Sequence, residues 1–215
     1  MKAYFISGLG ADKRAFEKIV LPAAYEVVHL AWVPPLEKEC LVQYARRFAQ
    51  YIDNSEPFIL VGLSFGGMLA TEISKLVPPQ HLILISSVST RYELPFIYRL
   101  AGSLRLEKLI PYKKLTKKPG KLFNWLFGPL DNDCKAMLHS FVKEVDPLFL
   151  KWALGQISRW RNTAVPANLL QIHGSRDRVL WTRYSKASLI MSGGGHLCLH
   201  SHANVINGRL ASHLG

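Results

Sequence analysis

FILVGLSFGGMLA, residues 58–70, spells an apolar run, then a serine bracketed by glycines, then an amphipathic pattern that continues as MLATEISKLV. The first part reads as a buried strand and the second, with apolar residues three and four apart, as a helix. Strand and helix meet at Ser64, where Gly62 and Gly66 remove the side chains that would collide across so sharp a turn. A helix starting at Phe65 aims its free N–H groups and the positive end of its dipole at the same point. A serine hydroxyl is a weak nucleophile until a base takes its proton and its oxygen is exposed to a substrate. This stretch meets the second condition. The pattern G-x-S-x-G alone does not decide the matter: Gly and Ser each make up about 7% of residues, so it turns up in roughly one chain in fourteen of this size. Its place between a strand and a helix gives it weight.

Outward from this point the same alternation recurs. KAYFISG, YEVVHLAW, HLILISS, NLLQIHG and SLIMSGGG read as further strands, and KRAFEKIV and VQYARRFAQYI as helices between them. The expectation is an α/β fold, a three-layer α/β/α sandwich around a mostly parallel sheet of about six strands. In such sheets chemistry collects at the carboxyl ends of the strands. Between Ser89 and Thr163 the alternation stops: FIYRLAGSLRLEKLI, LFNWLF and LFLKWALGQISRW read as helical and no strand is evident. We therefore expect one domain over residues 1–215, with a helical lid inserted at residues 89–163.

A nucleophilic serine demands an acid and a histidine, each in a loop after a later strand. SRDRVL follows LLQIHG and places Asp177 in such a loop; His196 follows SLIMSGGG. The plain alternative for Asp177 is a turn cap or a salt bridge with Arg176 or Arg178. Other acids fit less well, because Asp131 and Asp133 lie inside the insertion and Glu93 stands well past the end of HLILISS. The order Ser, Asp, His is that of one fold among the unrelated ones that host this triad.

With GLSFGG as nucleophile elbow, HGSRDRV as acid loop and GGGH as histidine loop, the chain resembles the α/β-hydrolase superfamily over nearly its whole length. It is similar to small members whose first strand runs directly into a GLGAD-type loop. The resemblance implies Ser64 as nucleophile, His196 as general base and then acid, and Asp177 as the group that orients His196. It also implies an oxyanion hole built from the backbone N–H groups of Leu9 and Phe65. Two features depart from the pattern. Ser7-Gly8 stands where many relatives have His-Gly, and YFISG begins so early that six strands are expected rather than eight.

Composition narrows the partners. The net charge of +12 is concentrated in residues 89–163, which carry fourteen basic and six acidic side chains. RLEKLIPYKKLTKKPGK holds seven basic residues and one acid, which suits an anionic substrate or peripheral contact with a lipid surface. Without a binding motif beside it, no nucleic-acid partner is expected. No apolar window reaches the length of a membrane span. Cys40, Cys134 and Cys198 lie far apart with no CxxC pair, which fits a reducing cytoplasm rather than a disulfide framework. His196, Cys198, His200 and His202 alternate, but helical spacing follows at once and no metal is expected. GLGAD lacks the third glycine of a dinucleotide fingerprint, so no cofactor is expected. The lid is rich in aromatics, and Phe96, Leu100, Phe123, Trp125, Phe149 and Trp152 are candidates to line an acyl pocket. The resulting expectation is a serine hydrolase of carboxylic esters or thioesters. An acyltransferase on the same triad and a non-catalytic small-molecule binder are the alternatives, and the oligomeric state stays open.

Overall fold

A computed structural model describes residues 1–105, Tyr112 and residues 120–215. The apolar runs form β1 (Lys2–Ile6), β2 (Glu26–Leu30), β3 (Phe58–Leu63), β4 (His81–Ile85), β5 (Leu169–Gly174) and β6 (Leu189–Met191). They make one sheet in the order β2-β1-β3-β4-β5-β6, with every neighbouring pair parallel. Among the described residues the helices longer than one turn are α1 (Leu41–Phe48), α2 (Phe65–Ser74), α3 (Phe96–Ser103), α4 (Lys121–Phe127), α5 (Asn132–Glu144), α6 (Pro147–Arg159) and α7 (Ala203–Leu214), and a single α-helical turn, Cys198–Ser201, precedes α7.

Strand side chains alternate between two apolar cores, as the pleat requires. Tyr4, Ile6, Leu60, Leu82 and Leu84 face one side with Tyr44 and Phe48 of α1 and Leu69 of α2. Phe5, Ile59, Val61, Ile83 and Ile85 face the other with Ile206 and Leu210 of α7. Burial on both faces is why these strands read as continuous apolar runs. The chain goes from β1 outward to β2 and then returns to set β3 on the opposite side of β1. The winding direction therefore reverses between β1 and β3, which opens a crevice at their carboxyl ends. Ser64 and the Ser7–Leu9 loop both emerge there.

Two stretches differ from the sequence reading, and a third lies mostly outside the described residues. KRAFEKIV makes only a 3-10 turn, Lys13–Phe16, capped by Asp12, whose side chain accepts from Arg14 N–H. Only Ala15 and Phe16 of this turn are buried, and Pro22 limits any extension. Conversely, α5 has no counterpart among the expected helices. Asp131 caps it through Cys134 N–H, and Cys134, Leu138 and Phe141 bury one face at helical spacing. Finally, most of RLEKLIPYKKLTKKPGK, with the lipid or anion contact expected of it, lies outside the described residues.

Candidate active site

The turn at Ser64 has φ 52° and ψ −121°, a backbone conformation that costs a non-glycine residue about 1–3 kcal/mol. Its surroundings hold it in place. Ser64 N–H donates to Ile85 O at 3.0 Å, and Ser64 O accepts from Gly67 N–H at 2.9 Å and from the Ser87 hydroxyl at 2.6 Å. The glycines are needed for close approach. A Cβ on Gly62 would overlap Gly67 Cα, and one on Gly66 would overlap the carbonyl oxygens of Ile6 and Ser7. The elbow helix is thus pressed onto the end of β1.

His196 lies beside the elbow. Its Nδ1 is 2.6 Å from Asp177 Oδ2 and its Nε2 is 2.9 Å from Ser64 Oγ. An ionised carboxylate only accepts, so Nδ1 carries the proton and Nε2 presents a lone pair to the serine hydroxyl. Asp177 Oδ1 accepts from the N–H groups of Val179 (2.8 Å) and Leu180 (2.9 Å). Burial by itself would raise the Asp177 pKa; the nearby His196, with hydrogen bonds from His173 and His196, overcomes it and holds the value at about 2. The structure therefore brings together Ser64, Asp177 and His196, which are far apart in sequence.

The glycine run before His196 has a packing reason. A Cβ on Gly174 at the end of β5 would strike Gly195 O, and one on Gly195 would strike Phe127 O. Three chain segments meet here with no room for side chains. The third is the carboxyl end of α4, which the sequence did not link to the site. Phe127 O accepts from His196 N–H at 2.7 Å, Leu126 O from Arg178 N–H at 3.1 Å, and Trp125 O from Arg178 Nη1 at 2.9 Å. The Phe127 ring stands edge-on to the His196 imidazole, 5.2 Å between centroids. The Leu126 and Phe127 carbonyls would otherwise be the unsatisfied end of a short helix, whereas Trp125 O also accepts from Gly128 N–H at 3.2 Å.

Trp32, at the end of YEVVHLAW, is a second supporting residue missed in the sequence. Its Nε1–H donates to Gly8 O at 3.1 Å, and its ring stacks on Phe65 at 5.4 Å. This fixes the loop after β1 against the elbow, where a Cβ on Gly8 would sit 3.5 Å from Ser64 Cβ. Among the described residues neither Leu9 N–H nor Phe65 N–H donates to a backbone carbonyl.

Ser64 opens into a cavity of about 340 Å³. Phe65 and Met68 form its floor, Tyr98 and Ala101 of α3 and Leu154 and Ile157 of α6 its roof, and Val179 and Leu180 one wall. The other hydroxyls of the lining are committed elsewhere: Tyr98 donates to Val179 O at 2.9 Å and Ser158 to Gly155 O at 3.2 Å. The six aromatic and apolar residues expected to line it are placed elsewhere. Phe96, Leu100 and Trp125 are 59%, 46% and 54% exposed. Phe123 packs half-buried against Phe127, and Phe149 is buried against Trp32. Trp152 lies on Tyr44 and donates its Nε1–H to Glu39 O at 2.7 Å. The helices are the expected ones, but their inward faces carry different residues: Tyr98 and Ala101 sit three apart on α3, with Phe96 and Leu100 turned away.

The alternating histidines after the glycine run do not converge. His200 Nε2 meets Ala15 O and His202 Nε2 meets Ser192 O, both by hydrogen bond. Among the described residues no group of three or more His, Cys, Asp or Glu side chains is placed to hold a metal ion. Among the described residues, too, no helix is long and apolar enough to cross a membrane.

Comparison with known proteins agrees with this arrangement at the level of fold. No curated protein matches the sequence. Among solved structures, a lipase-esterase related protein from Clostridium acetobutylicum superposes with a TM-score of 0.68 at 16% identity, over 97% of this chain and 92% of that one. A bromoperoxidase from Bacillus anthracis gives 0.69 at 16% identity, over 99% and 91%. MenH from S. aureus gives 0.67 at 17% identity, over 100% and 93%. At such identities the likeness is one of fold. The sequence profile that matches residues 4–207 is that of the alpha/beta hydrolase family, and it spans β1 through α7, elbow, acid loop and histidine loop included: the chain belongs to the alpha/beta hydrolase family.

Proposed function

We propose that the protein is a serine hydrolase that cleaves carboxylic esters or thioesters of apolar acids through an acyl-enzyme. The observation that carries this reading is the imidazole of His196, set 2.6 Å from Asp177 Oδ2 and 2.9 Å from Ser64 Oγ at the mouth of an apolar cavity. Ser64 Oγ attacks the carbonyl carbon while His196 Nε2 takes its proton. The charge that builds on the carbonyl oxygen is met by the N–H groups of Leu9 and Phe65, reinforced by the amino end of α2. His196 then gives its proton to the departing alcohol or thiol. In the second half-reaction it activates water, which releases the acid and restores Ser64 Oγ–H. Asp177 remains ionised throughout and stabilises the imidazolium.

The acyl group is placed in the cavity, with residues 89–163 acting as a lid through Tyr98, Ala101, Leu154 and Ile157. The Tyr98 and Ser158 hydroxyl protons are already given to backbone carbonyls, leaving only acceptor lone pairs in an otherwise apolar lining, so a polar acyl chain would regain little of its lost hydration, whereas an apolar one gains by burial. The named activities of the structural neighbours, lipase-esterase, bromoperoxidase and MenH, differ among themselves, so the substrate is argued from this cavity and not from them.

A fluorophosphonate probe should label the wild-type chain, and labelling should vanish in Ser64→Ala and fall steeply in His196→Ala. In a panel of p-nitrophenyl esters and acyl thioesters, kcat/KM should rise with acyl length and then drop once the cavity is full. Leu154→Trp should move that optimum to shorter chains, with roughly tenfold or greater loss for the longest. An unlabelled wild-type protein that nevertheless binds the esters would overturn the proposal in favour of a receptor.

A further inference from the structure

His173 is fully buried at the end of β5, and no step of the proposed reaction uses it. Burying an imidazole is costly unless its nitrogens are paired, and an apolar residue would fill a strand end more cheaply. One nitrogen here is unpaired: among the described residues Nδ1 has no hydrogen-bond partner. The other is crowded. Nε2 lies 2.6 Å from Leu180 O and 3.1 Å from Asp177 Oδ2. Both neighbours only accept, so the proton sits on Nε2 and is donated to Leu180 O, while Asp177 Oδ2 lies 3.1 Å from the same nitrogen, against the positive end of the N–H dipole.

We propose that His173 is a positioning residue for the acid. Its Nε2–H ties Asp177 to the turn that Leu180 closes, and it lies against the same oxygen, Oδ2, that holds His196 Nδ1. This second imidazole contact does two things. It keeps Oδ2 turned toward His196, and it draws charge from that oxygen, so the imidazolium of His196 is held less tightly than by a carboxylate with one imidazole partner. The inference rests on the proposed roles of Asp177 and His196.

Other titratable groups face Asp177 from the neighbouring elements. Tyr98 comes from α3 and Cys198 from the turn after the histidine loop, and burial raises the pKa of both, Cys198 to about 11. Neither changes charge in a neutral or mildly acidic assay. The Arg178 guanidinium is turned away over the Trp125 ring, 4.6 Å from its centroid. The acidic limb of a pH–rate profile therefore reports on His196 and its two-imidazole carboxylate.

The test is the rate of fluorophosphonate labelling against pH for the full-length chain, with thermal melting alongside, in wild type, His173→Phe, His173→Gln and His173→Asn. Gln can place an amide N–H near the Nε2 position; Asn is too short to do so. In Phe and Asn the acidic limb should move up by about half a pH unit or more, and labelling at neutral pH should slow by roughly tenfold. Gln should recover most of both. If His173→Phe fails to fold, the contrast between Gln and Asn carries the test. A melting-point loss with the limb unmoved, or a limb displaced to lower pH, would reduce His173 to a structural support for Leu180 O and overturn the inference. If the wild type is not labelled at all, the reading of Ser64, Asp177 and His196 has failed instead, and the two failures are distinguishable.

Discussion

Two buried carboxylates, Asp177 after β5 and Glu93 at the root of the helical segment after β4, are treated very differently by the fold. Glu93 Oε1 accepts from the N–H and hydroxyl of Ser89 and the N–H of Thr90, while Oε2 accepts from Gln171 Nε2 and Lys186 N–H. These bonds pin the start of the helical segment to β5 and to the loop before β6. Every partner is a backbone, hydroxyl or amide group whose own position is settled. Asp177 is held by backbone N–H groups on one oxygen only; the other faces imidazoles. One of those, His196, has a second nitrogen that reaches Ser64. Burial and hydrogen bonding are thus common to both acids. What separates them is whether a partner reaches on to a further side chain: His196 links Asp177 to Ser64 at the mouth of the cavity, whereas the partners of Glu93 lead to none there.

The sharpest way to break this comparison is to neutralise each acid in turn. Asp177→Asn should lower kcat by roughly 10⁴-fold with p-nitrophenyl esters, because an amide can hold His196 in the wrong tautomer, and it should also lower the melting temperature, since the ionised carboxylate contributes roughly 2 kcal/mol. Glu93→Gln should lower stability alone. It sets an amide N–H against at least one donor, costing about 1–3 kcal/mol, or a fall in Tm of roughly 2–12 °C, with kcat of the folded fraction kept within about threefold. Equal losses of kcat in the two variants would abolish the distinction.

A smaller effect appears in acid. The Asp177 pKa is depressed from 3.8 to about 2 in the folded state, so its contribution to stability is full above pH 3.8 and is lost as pH falls through about 2. At about 1.4 kcal/mol per unit this amounts to roughly 2 kcal/mol. Denaturant melts should show that slope in wild type and a flatter one in Asp177→Asn between these pH values. Smallest of all, Ser89→Ala removes the hydroxyl that lies 2.6 Å from Glu93 Oε1 and should cost about 1 kcal/mol in the same melts, with esterase rates unaltered.

Much of this molecule was legible in its sequence, for reasons that can be located. The four inner strands, β1, β3, β4 and β5, are short apolar runs because a parallel sheet covered on both faces leaves no polar side to confuse the pattern, while the edge strands β2 and β6 are only partly covered. Ser64, Asp177 and His196 could be found because each follows a strand at its carboxyl end, where local glycines mark the turn. α5 escaped notice because its apolar positions, Cys134, Leu138 and Phe141, are diluted by charged and polar neighbours. The cavity lining escaped because α3 and α6 are apolar on more than one face. Composition names such helices without telling which side meets the cavity. His173 and Trp32 read as ordinary strand residues, and only the distances to Asp177 and Gly8 give them work.

The chain by itself therefore determined most of the elements, their alternation and the points where Ser64, Asp177 and His196 leave the sheet, since these depend on neighbours within a few residues. Tertiary structure decided which helix faces enclose the cavity, how the carboxyl end of α4 ties the acid and histidine loops together, and which buried acid meets an imidazole. Those outcomes depend on contacts between segments distant along the chain, and such contacts exist only once the sheet has brought the strand ends together.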